Sequence, residues 1–327
     1  MINLVIMGAG LIGYRHVAEV SAHANCHLVG IIEPDTSRHC DDGNAYFTSL
    51  DEIDTPVDGV IIATPTHLHF EHAKQAIARG WHMLIEKPVT ATPDEAEALV
   101  PLVNEAGLFC LVGHHRRYHP QLQKLKSWVE AGEFGQIIGS SLLWAMRKPD
   151  GYFQDNWRAK DGSPIMINTI HDIDAMRFVL GEITDIQGMG SRHVRGAPRL
   201  ETAAAILSFA SGAKGTILLS DVGLSPWGFE AGIGENPNIG TTGQDMWFLI
   251  GTKGSVSFPS LTRWGGSSDW SKPAKAASMT SENVVPLQAQ LNHFVDVISG
   301  QSAPLITIED AATSLCVTWQ LEQLLQH

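Results

Sequence analysis

The sequence predicts an α/β Rossmann-type dinucleotide-binding domain followed by an α+β domain built on an open, mainly antiparallel sheet. Three observations carry this expectation. Short, near-continuous apolar runs alternate with helical patterns as far as about residue 115, which is how a parallel sheet covered on both faces is written. A Gly-rich string, Gly8-Ala9-Gly10-Leu11-Ile12-Gly13, joins the first such run to the first helical pattern. Beyond Tyr118-His119-Pro120 the runs lengthen and alternate apolar with polar, separated by turn signals such as Ala210-Ser211-Gly212. The expected division is residues 1–118 and 119–327.

In the first part, the strand-like runs are Ile2–Met7, His27–Glu33, Gly59–Ala63, Met83–Glu86 and Leu108–Gly113. Helical stretches Leu11–Ala24, His67–Arg79 and Pro93–Ala106 lie between several of them. Pro93-Asp94-Glu95-Ala96 reads as a helix start, with proline and acids in the first turn. In the second part a helix, Gln121–Ala131, precedes strands at Ile137–Met146, Thr184–Ser191, Ala203–Phe209, Gly215–Ser220, Trp247–Ile250 and Ser255–Phe258. Helices over Pro286–Ser299 and Glu309–Gln326 close the chain.

The Gly-rich string has the context a dinucleotide site requires, a strand before it and a helix after it. Gly8 permits the tight turn, Gly10 lets backbone approach a pyrophosphate, and Gly13 lets helix and sheet pack closely. The helix start, at Leu11 and Ile12, offers N–H donors and a partial positive charge. Glu33 ends the second strand twenty residues after Gly13, where a carboxylate binds the adenosine ribose hydroxyls. It would repel a 2′-phosphate, so NAD is expected over NADP, with Arg38 close enough in sequence to temper the discrimination.

Ligands of such sheets sit at the carboxyl ends of the strands. Ala63-Thr64-Pro65-Thr66 ends one strand and Glu86-Lys87-Pro88 the next, so both are expected to border the nicotinamide half of the cofactor. Read alone, Lys87 is equally a solvated strand-end lysine. In company with GAGLIG, Ala63-Thr64-Pro65-Thr66-His67-Leu68-His69, Gly113-His114-His115-Arg116-Arg117-Tyr118-His119-Pro120 and His171-Asp172-Ile173-Asp174, it resembles the Gfo/Idh/MocA oxidoreductases, the family of glucose–fructose oxidoreductase and inositol dehydrogenase. The matching strings extend to about Gly181; downstream the resemblance is mainly architectural. It implies an NAD(P)-binding domain joined to an open sheet that often forms the oligomer interface, here a homodimer or homotetramer. It implies that Lys87 contacts both nicotinamide and substrate, and that the Lys87–Pro88 bond is cis. It adds Thr64, Pro65, His69 and Glu86 to the expected cofactor site.

A helix is expected from Asn168 to Leu180, with Asn168 and His171 on one face and Asp174 three residues further on. The resemblance makes His171 the acid/base residue. Many family members place an aspartate four residues before this histidine; here that position is Ile167. Asn168 can orient a substrate or the imidazole but cannot relay a proton, which leaves the proton chemistry to Lys87 and His171. The implied activity is hydride transfer between NAD and a secondary alcohol of a sugar, polyol or related ring compound. Two rivals remain: a glycosidase of the same family that oxidises its substrate transiently, and an NAD-binding regulator without catalysis.

Further substrate-binding candidates are Arg116, Tyr152, Trp157 and Arg158, beside Lys87, Asn168 and His171. The cations Arg116, Arg117, Arg147, Lys148 and Arg158 favour an acidic or densely hydroxylated substrate, or equally pair with carboxylates of this acidic chain. Tyr152, Trp157 and Trp227 suit a sugar ring, a core or an interface alike. His67, His69 and His72 lack an oxygen-ligand set, and no metal is expected.

The formal net charge of −13 over 327 residues argues against nucleic acid, which demands a basic face. No apolar run approaches the ~20 residues that span a bilayer, and the first strand begins at Ile2, so the cytoplasm is the expected compartment. Four scattered cysteines without C-x-x-C spacing speak against a disulfide framework or a thiolate zinc site.

Overall fold

A computed structural model describes residues 1–153, 163–196, 199–236, 238–278 and 285–325. Its N-terminal elements are β1 (Ile2–Met7), α1 (Leu11–Ala22), β2 (Cys26–Ile32), β3 (Tyr46–Phe47), β4 (Gly59–Ile62), α2 (His69–Ala78), β5 (His82–Ile85), α3 (Pro93–Glu105) and β6 (Cys110–Val112). The six strands pair in the order β3-β2-β1-β4-β5-β6, all parallel. Leu4, Ile6, Ile31, Ile61 and Leu111 are inaccessible to solvent, as expected for strands covered on both faces. The chain reverses its direction of travel across the sheet between β1 and β4, and the carboxyl ends there are where a ligand crevice belongs. Thr92 and Glu95 form a capping box at the start of α3, with Pro93 in its first turn. The two-residue β3 carries too little pattern to be read from sequence.

The second set of elements is α4 (Pro120–Glu130), β7 (Ile137–Ala145), α5 (Ile170–Leu180), β8 (Ile183–Ser191), β9 (Thr202–Phe209), β10 (Lys214–Ser220), α6 (Phe229–Ile233), β11 (Trp247–Gly251), β12 (Ser255–Phe258), β13 (Thr262–Gly265) and β14 (Lys275–Ala277). They form an eight-stranded sheet, β14-β13-β12-β11-β7-β10-β9-β8, antiparallel except between β7 and β10. Trp144, Trp247, Phe258, Leu207 and Met176 lie in its core. The alternate positions Ile206, Leu218, Phe248 and Ile250 are exposed, which leaves the outer face partly apolar. β13, short and mostly half-buried, and β14, short and exposed, bear no amphipathic signature and were not expected.

The chain closes with α7 (Pro286–Ile298) and α8 (Ile308–Leu325). Two compact units result: Met1–His115 with Pro286–Cys316, and Arg116–Val285 with Val317–His327. A single cut after residue 118 assigns α7 to the second domain. Its apolar stripe Leu291, Phe294, Val295 and Val297 instead joins the core formed by Leu4, Ile6 and Leu84, so the helix belongs with the parallel sheet. Among the described residues no helix is long and apolar enough to cross a membrane.

Candidate functional site

In the first unit, the turn from β1 into α1 is built around backbone closeness. Gly8 has φ +100°, and a Cβ there would lie 2.8 Å from the Ala63 carbonyl oxygen; a Cβ on Gly13 would lie 2.0 Å from the Gly8 oxygen. Gly10 differs, because a Cβ there would meet nothing within 4 Å. Its backbone borders open space, which a pyrophosphate can approach. The first turn of α1 has no capping side chain and no acid, leaving its N–H groups and positive end to a ligand. Leu11 is 78% exposed, an apolar surface at the mouth of this turn, while Ile12 follows within the same first turn.

Glu33, buried just past β2, accepts hydrogen bonds from Ala9 N–H (3.0 Å, Oε2) and Asp35 N–H (3.1 Å, Oε1). Each oxygen retains a lone pair for a ribose hydroxyl. Arg38 reaches Asp35 at 3.4 Å and Glu33 at 3.9 Å. These residues fit an adenine dinucleotide: a glycine turn with open space over it, an uncapped helix start and a fixed carboxylate beyond.

The loops ending β4 and β5 are tied together by a histidine. Nδ1 of His69 lies 2.8 Å from the Pro88 carbonyl oxygen, and Nε2 lies 2.9 Å from the Thr64 carbonyl oxygen. Burial pulls the ring's pKa down, and a neutral imidazole has one N–H, so it donates to one of these two carbonyls and only abuts the other. Both nitrogens of His69 face backbone, where the expectation was that the residue faces the cofactor. Thr64 Oγ1 meets His72 Nδ1 at 2.9 Å, and Pro65 is exposed.

Glu86 is also turned inward. Its Oε1 is 2.9 Å from His16 Nε2 on α1, and its Oε2 accepts the Lys87 N–H at 3.2 Å. Burial opposes its ionisation, but the His16 hydrogen bond and charge outweigh it, with help from the Lys87 and His115 charges. The carboxyl is brought down to about 2. Gly113, at the end of β6, leaves room for this side chain, since a Cβ there would lie 2.9 Å from Glu86 Oε2. Lys87 follows, half-buried, with a cis bond to Pro88.

In the second unit, a π-helical turn, Ile165–Thr169, leads into α5. Asn168 lies within that wider turn, so its three-residue spacing to His171 no longer stacks the two as an α-helix would. Its Oδ1 accepts from Lys148 Nζ at 2.7 Å. The Lys148 ammonium also lies over the rings of Tyr152 (5.1 Å) and Trp144 (5.5 Å). His171 is buried in the first turn of α5. Asp174 accepts a two-point contact from Arg117, at 2.8 and 2.6 Å.

Arg116 is expected at a substrate, yet the structure surrounds it with carboxylates. Its guanidinium is 2.6 Å from Asp172, 2.8 Å from Glu230 and 3.5 Å from Glu235, and lies 4.2 Å over the Phe229 ring. Trp144 Nε1 donates to Glu230 at 2.9 Å. An anionic substrate would have to displace one of these partners. Burial raises the Asp172 carboxyl to about 7, against the lowering pull of Arg116. The direction follows from three carboxylates sharing one guanidinium, and from an Asp172 Oδ2 that is buried without a hydrogen-bond partner.

Trp157 and Arg158 lie outside the described residues. No group of three or more His, Cys, Asp or Glu side chains is arranged to hold a metal among the described residues. Sequence carries no expectation for His16, Asp172 or Glu230, and places Lys148 only among several cations of the substrate region. For His16 a signal existed: it falls three residues after Gly13 on the buried face of α1 shared with Val17 and Val20. The others meet their partners across 20 to 114 residues, with no local pattern.

The oxidoreductase-family model GFO_IDH_MocA, with its NAD-binding Rossmann fold, matches residues 2–114. The GFO/IDH/MocA C-terminal-domain model matches residues 122–257. The uncharacterized oxidoreductase YrbE of Bacillus subtilis is 31% identical over 224 residues, a stretch spanning 65% of this chain and 65% of that protein's length. The scyllo-inositol 2-dehydrogenase (NAD(+)) of Bacillus subtilis is 26% identical over 96% of this chain and 91% of that one. The solved structure of UDP-N-acetylglucosamine 3-dehydrogenase GnnA from Acidithiobacillus ferrooxidans shares the fold. It has a TM-score of 0.80 at 23% identity, covering 99% of this chain and 97% of that one.

Proposed function

The chain belongs to the GFO/IDH/MocA family of oxidoreductases, and we propose that it is an NAD-dependent dehydrogenase of a secondary alcohol on a sugar, polyol or related hydroxylated ring. The observation that carries this reading is Lys87, held at the end of β5 on a turn anchored on both sides, in a unit whose glycine turn fits a dinucleotide. The kinship with a scyllo-inositol dehydrogenase over nearly the whole chain supports the polyol class.

When bound, NAD supplies the hydride acceptor. The glycine turn and the start of α1 would hold its phosphates, Glu33 would hold its adenosine ribose, and Thr64 and Pro65 would face its nicotinamide half. Glu33 and the neighbouring Asp35 put two carboxylates just past β2, which supports NAD over NADP despite Arg38. Lys87 donates to the substrate hydroxyl and stabilises the alkoxide as it forms. His171 takes the hydroxyl proton as general base. Asn168, set by Lys148, and Tyr152 hold further substrate hydroxyls or a ring face. Arg116 acts instead through α5, whose first turn it fixes at Asp172. The apolar outer face of the eight-stranded sheet supports a homodimer or homotetramer.

The test is a panel of polyols, sugars and sugar acids with NAD and with NADP, read at the reduced-nicotinamide absorbance. NADH formation on at least one secondary alcohol is expected. Lys87→Met and His171→Ala should each lower kcat by about 10²–10⁴ with NAD affinity retained. Turnover that survives both substitutions overturns the assignment.

A further inference from the structure

Two buried histidines on two different helices converge on the three-residue turn Glu86-Lys87-Pro88. His16, from α1, is 1% exposed and holds the Glu86 side chain at 2.9 Å. His69, the first residue of α2, is also 1% exposed and holds the Pro88 carbonyl at 2.8 Å. Its other nitrogen lies 2.9 Å from the Thr64 carbonyl, so one ring sits between the ends of β4 and β5 and donates to one of them. The Glu86 carboxylate in turn accepts the Lys87 backbone N–H. The residues flanking Lys87 are thus gripped on either side.

We propose that His16 and His69 are positioning residues that splint the Glu86-Lys87-Pro88 turn and so set the place and proton affinity of the Lys87 ammonium. Both rings are turned toward the protein: the two nitrogens of His69 face backbone carbonyls, and His16 points its Nε2 at Glu86. Packing alone does not demand these side chains. A buried helix face next to Val17 and Val20 accepts an apolar residue at position 16 at lower desolvation cost, and a buried imidazole set between two carbonyls contributes a directed bond that an apolar side chain would not. What the arrangement achieves is geometric. A side-chain ammonium that stabilises a developing alkoxide must be fixed within a fraction of an ångström, and its backbone is the part the fold can fix.

The inference rests on the role given to Lys87 above, and a double-mutant cycle separates the two. His69→Gln retains donors from one group but cannot span both carbonyls; His16→Gln keeps a donor to Glu86 without charge. Each should lower kcat about tenfold or more while NAD affinity, read by fluorescence titration, stays unchanged. On a Lys87→Met background the same substitutions should cost nothing further. Equal losses with and without Lys87 would overturn the splint while leaving the Lys87 role intact; a Lys87→Met enzyme with undiminished kcat would overturn the Lys87 role itself. A second readout needs no substrate. Trace acetylation of the cofactor-free protein, with peptide mass spectrometry and the exposed Lys74 as internal reference, reports Lys87 reactivity. His69→Gln should change the Lys87-to-Lys74 labelling ratio about threefold or more, the equivalent of half a pH unit in ammonium pKa. An unchanged ratio in a folded His69→Gln protein overturns the proposal, and this arm decides it if His16→Gln fails to fold.

Discussion

Glu86 in the first unit and Asp172 in the second are both buried carboxyls, each next in sequence to a residue proposed to act on substrate, Lys87 and His171. Their surroundings drive them in opposite directions. Glu86 faces His16, Lys87 and His115, and its carboxyl falls to about 2. Asp172 shares a single guanidinium with Glu230 and Glu235, and its carboxyl rises to about 7. Desolvation is common to both and favours the neutral acid; the balance of neighbouring cations and anions decides the outcome. The same residue class beside a site thus serves as a fixed anion in one unit and as a proton-holding group in the other.

The largest break in this contrast comes from removing the cation of the second cluster. Arg116→Met leaves three buried carboxyls without their guanidinium, a change of the kind that costs about 3–5 kcal/mol. Urea unfolding should show the loss at pH 7 and a smaller one at pH 5, where the carboxyls take up protons more readily. A loss that does not vary with pH would mean that packing against Phe229, not charge, is what Arg116 supplies.

A second measurement sharpens the first cluster. The folded pKa of Glu86 lies below its unfolded value of roughly 4.3, so its contribution is present above that value. It is lost as pH falls toward about 2. At about 1.4 kcal/mol per unit, the acid limb should account for roughly 3 kcal/mol. Glu86→Gln should remove that limb from the pH–stability profile. An acid limb of the same size in the variant would show that His16 does not hold Glu86 ionised.

The two clusters also differ in how far sequence discloses them. The glycine turn is a local signal, set by a strand end and a helix start; Glu33 follows from a fixed spacing of twenty residues, and Lys87 from a strand end read together with motifs along the chain. The capping box at Thr92 is local too, since cap chemistry spans one turn. His16 meets Glu86 across 70 residues, and Arg116 meets Glu230 across 114, so only the folded chain brings them together. The π turn before α5 was equally hidden, because nothing in the composition of Ile165–Thr169 marks the wider turn. The fold was legible where apolar period and turn chemistry agreed. It was not where an edge strand such as β14 is wholly exposed, or where α7 returns to cover a sheet written nearly two hundred residues earlier.

The smallest expected effect is the most specific to the contrast. Asp172 has a folded pKa raised to about 7, so the folded protein keeps a proton that the unfolded chain gives up above roughly pH 4. Its contribution is therefore full below that pH and is lost as pH rises toward 7, the reverse of the Glu86 limb. An asparagine in its place would mimic the protonated acid in size and still accept the Arg116 hydrogen bond, now 2.6 Å long. Asp172→Asn should consequently change stability by less than about 1 kcal/mol at pH 5, while flattening the decline between pH 5 and 8. If Asp172→Asn is instead strongly destabilising at pH 5, Asp172 is ionised there. The Arg116 cluster would then be a second fixed anion next to His171, and the opposition between the two units would disappear.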